Sequence, residues 1–471
     1  MQSGFRLSSC LVLLLALTPS GRSTELDGHP VIHSRTFALH SNAAYLNVEV
    51  SSTLGSNIIR ITGASFSQLD VGKIITIQSL LDGANDLKTT IRAVTSTTLV
   101  LEDTAGVSET DRSVYVIYGN DDAPSFQHMS QALVGSGGTI IVSPGSYLMN
   151  EVTLLPSNTT VTCLPGAQFY MTDGQRNRER HWIFANEGFA ATSLTNRGIT
   201  ISGCTFNGAT TTPSTGADAI RYSFASEVRA ARNTFYNFGD AVANVGSNKS
   251  VIEGNRAYNI TNTCWDHWWA PTSMKILNNY CETRKHGTQV TGTDTAQTGS
   301  GKAQDLLLQG NEYRLLTAEG SAVWLNSGAK LDNGAGVAHA KIVGENIYTS
   351  GLGSQVGTCL KASGSGTSDV WFVDIRCNNA IVVVNPVDVV TSRPRDIHLQ
   401  NVFVVIANPF GGAAIQIHAA NSDIESSTVK GGGYTYAIES DQEPVHRGTS
   451  NRLEPGRLGQ ERIGAAAHLK N

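Results

Sequence analysis

Apolar and polar residues alternate in short runs along most of the chain, and one alternating phrase returns many times between residues 195 and 430. It reads VIEGNRAYN at 251–259, ILNNYCET at 276–283, LLLQGNEYR at 306–314 and IHLQNVFVV at 397–405. Weaker copies are ITISGCTFNG (199–208), VRAARNTFYN (228–237) and KIVGENIYT (341–349). Each is a short strand of period two, then Gly-Asn or Asn-Asn, then a small or aromatic residue and a turn. With Cys204, Asn233, Asn255, Asn279, Asn311, Glu345 and Asn401 at one equivalent position, the gaps are 29, 22, 24, 32, 34 and 56 residues. The last gap leaves room for a degenerate copy around 370–376. Short strands repeating at this period predict a solenoid whose coils stack as parallel sheets. Stacking would also bring residues of successive coils into one line.

Residues 40–117 lack the asparagine phrase but carry short alternating segments such as YLNVEVS, KIITIQS and SVYVIYG, which predict a small separate β-domain. From 118 to 149 the pattern changes to YGNDDAPSFQHMSQALVGSGGTIIVSPGSYLM. Asp121-Asp122 are placed to cap a short amphipathic helix with Phe126, Met129 and Leu133 on its inner face. Gly137-Gly138 then turns the chain into a strand. Such a helix can cover the apolar side chains and unpaired strand edges at the end of a solenoid. The last segment, 441–471, is polar and charged with no strand phrase, and is expected to be disordered.

Composition narrows the functional classes. Only 15% of residues are charged, the net charge is −5 and no basic stripe is present, so nucleic-acid binding is not expected. Residues 1–23 place Arg6 before the apolar run CLVLLLAL and then small residues. This is the layout of a secretory signal peptide and is too short to span a bilayer. The expectation is a secreted or periplasmic protein with no membrane attachment after signal removal. Six cysteines then remain: Cys163, Cys204, Cys264, Cys281, Cys359 and Cys377. In the repeat alignment Cys163 and Cys204 sit at similar points of neighbouring coils, and Cys264–Cys281 and Cys359–Cys377 would each staple one coil. Free buried thiols are the alternative. No cysteine or histidine spacing suggests zinc.

The run GNDDAPSFQHMSQAL, the segment GGTIIVSPGSYLM and the asparagine-bearing coils together resemble the pectate-lyase-like proteins, which include pectin-active lyases, family 28-like glycoside hydrolases and phage tailspike depolymerases. The segment FSQLDVGKIITIQ (66–78) is similar to modules preceding the helix in bacterial members. The resemblance implies an all-β fold: a right-handed parallel β-helix over 118–440, capped by a short helix and preceded by the β-domain. It implies an extracellular polysaccharide as partner, and its tailspike members imply a homotrimer, although the chain carries no trimerisation signal of its own. One scaffold of this kind hosts several chemistries, so it leaves the reaction open.

A second line of residues speaks to the reaction. The strands that follow each asparagine phrase are ADAIRYS (217–223), GDAVANV (239–245), WDHWWA (265–270), KHGTQVTG (285–292) and EGSAVWLN (319–326). Side by side, they place Asp218, Asp240, Asp266, His286 and Glu319 at one position. Strands in adjacent coils lie about 4.8 Å apart. Carboxylates would then stand about 5 Å or about 10 Å apart, bracketing the separations used by retaining and inverting glycosidases. Crowding would raise the pKa of at least one carboxyl and make it a general acid, with His286 tuning it. Asp in such turns also commonly bonds backbone amides, the structural alternative. Trp265, Trp268 and Trp269 with His267 flank Asp266, and Trp324 lies two coils on, offering indole planes for sugar rings. Arg221, Arg284 and Lys285 are candidates for binding a uronate carboxylate.

These readings point first to a glycoside hydrolase with Asp240 and Asp266 as its acid/base pair and Asp218 or Glu319 assisting. The alternatives are a uronate lyase or epimerase using His286, Lys285 or Arg284 as base, and a non-catalytic glycan-binding or adhesive protein. The chain has no Asn-x-Asp element followed by adjacent Asp-Asp and then Gly-His-Gly, the series of family 28 hydrolases; His286-Gly287 matches only a fragment of the last element. No cofactor is expected, and calcium stays open because a row of carboxylates can bind it.

Overall fold

A computed structural model describes residues 24–26, 29–83, 85–95, 97–172, 182–208, 217–292, 301–327, 335–349, 355–384, 393–440, 446–447, 451–456 and 459–463. The expected signal segment lies outside the described residues. The chain winds through three long sheets in turn, of 14, 12 and 12 strands. One coil is Gly138–Val142 in the first sheet, Gly145–Met149 in the second and Thr153–Leu155 in the third. The next coil, Thr159–Cys163, Ala167–Met171 and Trp182–Asn186, pairs with it in parallel, strand for strand. This is a parallel β-helix.

Alternation in each strand sends every second side chain inward, and stacking turns those side chains into continuous rows. In the first sheet Ile140, Val161, Ile201, Ala230, Ile252, Ile276, Leu308 and Ile342 share one register and are all buried. In the second sheet Phe169, Phe206 and Phe235 stack at 5.4 and 5.3 Å between ring centroids. Burial of each large apolar side chain contributes about 1.5–3 kcal/mol, and each coil lies on the apolar surface of the previous one. The helix Ala123–Gln131 closes one end, with Phe126 meeting Tyr147, Phe169 and Phe184. Its start differs from the expected Asp-Asp cap. Asp121 accepts from the Ala123 amide, whereas buried Asp122 accepts from the His40 amide.

The asparagine phrase marks the corner between the first and second sheets. The side-chain oxygen of Asn233 accepts from the Cys204 amide, Asn255 from that of Asn233, Asn279 from that of Asn255 and Asn311 from that of Asn279, all at 2.9–3.0 Å. Each asparagine Nδ2 donates to a carbonyl of the preceding coil, as Asn279 does to Ile252. Glu345 takes the next place and accepts from both the amide and Nδ2 of Asn311. The residue before each ladder position has positive φ: Gly254, Asn278, Gly310, Gly344 and Asp374 all fall between 54° and 68°. That periodicity corrects one position. Asn401 (φ 52°) is the residue of this turn, and Val402 occupies the ladder place, its amide donating to Ser427.

The segment 44–119 forms a closed antiparallel barrel with its own apolar centre, including Val50, Ile59, Ile75, Leu99 and Val116. Just before it, His29–His33 already lies parallel on Gly138–Val142, a solenoid strand absent from the sequence reading. The expected disorder of 441–471 is also corrected where its residues are described. His446–Arg447, Arg452–Leu453 and Gly459–Ile463 pair in parallel with the three strands of the preceding coil. Asn451 continues the amide ladder, accepting from Ser427 and donating to the Ile424 carbonyl.

Disulfides join Cys163–Cys204, Cys264–Cys281 and Cys359–Cys377. The first links neighbouring coils. The other two each run from a third-sheet strand to the second-sheet strand of the following coil, less than one full turn. No helix among the described residues is long and apolar enough to cross a membrane.

Candidate active site

The third sheet carries the candidate chemistry, and its register differs from the sequence alignment. Trp182, Asp218, Asp240, Thr263, His286 and Ser321 pair in succession. Asp266 belongs to a second row, three residues along the strand: Arg221, Ala243, Asp266, Gln289, Trp324 and Lys361. Both rows face away from the apolar centre, because Ile220, Val242 and Trp265 fill it between them. Asp266 therefore stands one rung beyond Asp240 and two beyond Asp218, displaced along the strand rather than in line. Rung spacing alone separates Asp218 from Asp240 by about 4.8 Å along the helix axis and from Asp266 by about twice that.

The three carboxyls are buried, at 0%, 2% and 1% exposure for Asp218, Asp240 and Asp266. Arg221 donates to Asp218 at 3.1 Å and lies over the Trp182 ring at 4.7 Å. Asn262 Nδ2 and the Thr263 amide both donate to Asp240 Oδ1 at 2.9 Å. Asp266 has no hydrogen-bond partner for either carboxyl oxygen among the described residues. These surroundings separate their acidities. Burial raises Asp218 to about 6, with Arg221 pulling against it. Burial and the neighbouring charges of Asp266 and Asp218 push Asp240 well above the usual carboxylate range. Burial, then the charge of Asp218, raises Asp266 to about 8, with Trp268 and Arg221 as partial offsets. Near neutral pH the Asp218–Asp240 pair can share one proton, while Asp266 holds its own.

Half-buried Trp324 and Lys361 line the rim beside buried His286. His286 lies 4.6 Å from Trp324, ring to ring, and Lys361 covers Trp324 at 4.6 Å. Burial, with the charges of Lys285 and Lys361, lowers His286 to about 3, so its ring is neutral near pH 7 and meets the carboxyls as an uncharged group. Trp268 stands on the same outer face beyond Asp266.

Other expected residues are elsewhere. Trp265 is inside the helix against Phe235, and His267 is also inward and fully buried, because alternation places both opposite Asp266. Trp269 has left the strand with φ of 60° and packs on Phe224. Arg284, Lys285 and Glu319 are exposed in turns between the second and third sheets; Ser321, not Glu319, continues the Asp218 row. Sequence reasoning missed Trp182, Asn262 and Lys361. Asn262 directly precedes the strand at Thr263, a signal the alignment could have used. Lys361 sits in the strand Gly357–Ala362, where it is the one charged residue. Among the described residues no group of three or more His, Cys, Asp or Glu is arranged to hold a metal ion.

No known family's sequence profile and no curated protein sequence matches the chain. Solved structures similar to it include DFA-IIIase from Arthrobacter chlorophenolicus A6 without its lid (13% identity, TM-score 0.48, 73% of this chain and 96% of that one). The family 28 exopolygalacturonase of Yersinia enterocolitica is another (10%, 0.42, 89% and 100%). A third is PfbA, a surface adhesin of Streptococcus pneumoniae (15%, 0.43, 69% and 90%).

Proposed function

We propose that the chain is an exported glycoside hydrolase acting on an extracellular polysaccharide. The observation carrying this reading is that three outward-facing carboxyls on successive rungs are buried and held at different acidities beside an indole-lined rim. Asp266, protonated near neutral pH, acts as general acid on the glycosidic oxygen. The Asp218–Asp240 pair retains one negative charge, drawn towards Asp218 by Arg221, and serves as base for the attacking water. Trp268 and Trp324 hold sugar rings by their apolar faces. The three disulfides support an oxidising compartment.

Product analysis on polysaccharide substrates tests the reaction. Hydrolysis releases reducing ends with no new ultraviolet absorbance, and Asp266→Asn is expected to lower kcat by roughly 10²–10⁴-fold. A full-rate Asp266→Asn enzyme would sink the assignment. Elimination is the second reading, favoured by Lys361: burial lowers its proton affinity and places an amine base beside Trp324. Its product would carry an absorbing double bond, and Lys361→Met would abolish it. A glycan-binding protein would give neither product.

A further inference from the structure

A second concave surface lies on a different face, at the outer corner between the first and second sheets. It is a groove of about 840 Å³ whose lining includes Asn346, Arg376, Asn378 and Phe403. Asn346, Arg376 and Phe403 are consecutive members of one outward row, and Asn378 follows Arg376 on the same face two residues along. Arg376, Asn346 and Asn378 are exposed, and their side chains have no partner among the described residues. Phe403 is only half-buried, with Lys430 at 5.8 Å from its ring centre. Lys430 thus lies over this ring, and Arg376 pairs with Phe403 from the preceding rung. Both carboxyl groups of the lining are already engaged: Asp374 accepts from Asn401 Nδ2 at 2.6 Å. Glu345 lies beneath, buried, with both oxygens occupied by Asn311.

An uncommitted guanidinium fork, two free amides and an aromatic face converging in a concavity form a recognition set, not a structural one. The fork matches a planar or tetrahedral oxyanion bidentately. The amides suit hydroxyls, and the ring suits an apolar C–H face. We propose that this groove is a non-catalytic binding site for an acidic saccharide, which Arg376 grips by its carboxylate or sulfate group. It would hold polymer against the outside of the helix while the third sheet acts elsewhere.

Affinity electrophoresis of the full chain tests this in gels containing alginate, dextran sulfate or neutral dextran. The Asp266→Asn protein is used so that no polymer is cut and the outcome does not depend on the hydrolase reading. Retardation by alginate identifies the carboxylate as ligand and by dextran sulfate the sulfate, with no retardation by dextran. Arg376→Ala, an exposed change whose thermal unfolding should match the parent, is expected to weaken the retarding interaction about tenfold. Arg376→Lys should fall between the two. The site is overturned if neither acidic polymer retards the protein, if dextran retards it equally, or if Arg376→Ala leaves retardation unchanged.

Discussion

At the scale of single residues, the buried carboxyls act on stability with the same sign. Glu345 replaces an asparagine in the ladder. Its oxygens accept from Asn311, but an ionised Glu345 has no donor for the carbonyl of the coil before, the bond each preceding asparagine makes. A proton on Glu345 supplies that donor, and burial pushes its pKa well above the usual range. The folded state then keeps a proton that the unfolded chain releases near the ordinary Glu value. The stabilisation is therefore complete below that value and is lost as pH rises towards the folded pKa. Glu345→Gln should flatten this slope and raise the melting temperature at neutral pH, whereas Glu345→Ala, leaving two buried donors unpaired, should cost about 2–4 kcal/mol. Melting curves across pH for the three proteins check both statements.

Asp266 follows the same sign, because its pKa is raised to about 8. Asp266→Asn should therefore lose activity and yet melt higher at neutral pH, the trade expected where a site keeps an unfavourable group for its chemistry. The acid and base also predict a bell-shaped rate profile, with limbs near the values of about 6 for Asp218 and about 8 for Asp266. Arg221 holds Asp218 down through a hydrogen bond and its charge and Asp266 through its charge alone, so Arg221→Gln should move the acidic limb upward more than the alkaline one. Rate–pH profiles of the two proteins check this, and an unmoved acidic limb would remove Asp218 as the base.

Elements carry the repeat, and the corners of each coil differ in how much of themselves they write into the sequence. At the first corner the amide ladder demands Asn at one place and a positive-φ residue just before it, so Asn255, Asn279 and Asn311 could be aligned by eye. Where both residues of the turn can be Asn, as in Asn278-Asn279, the two demands look alike, and LQNVF was read one place early at Asn401. Asn279→Ala should cost about 2–4 kcal/mol, since it removes the acceptor for the Asn255 amide and the donor to Ile252 together; chemical denaturation measures it. At the start of the third sheet no such constraint exists. Ala219 and Ile220 are successive residues that both enter the core, so alternation slips there, and a motif search by Asp alone merged the Asp240 and Asp266 rows. The carboxyl set was legible from spacing; its division into two rows was not, because that division is set by backbone packing.

Over the whole molecule, a solenoid has no distant contacts to spread a defect, since each coil rests mainly on its neighbours. Its ends are then its weak points. Here one end is closed by the helix carrying Phe126, and the other by the coil that contains Asn451. The candidate site lies between them, on strands Asp218–Ser223 to His286–Thr291. Phe126→Ala removes the largest side chain of the cap and should cost about 3–5 kcal/mol locally. Nearest-neighbour coupling predicts that the loss appears first in the coils beneath the helix. Amide exchange should quicken in 138–171 while 240–291 stays protected, and activity at moderate temperature should be retained. Simultaneous loss of protection along the entire helix would show instead that the coils unfold as one unit, with the cap setting the stability of the site as well.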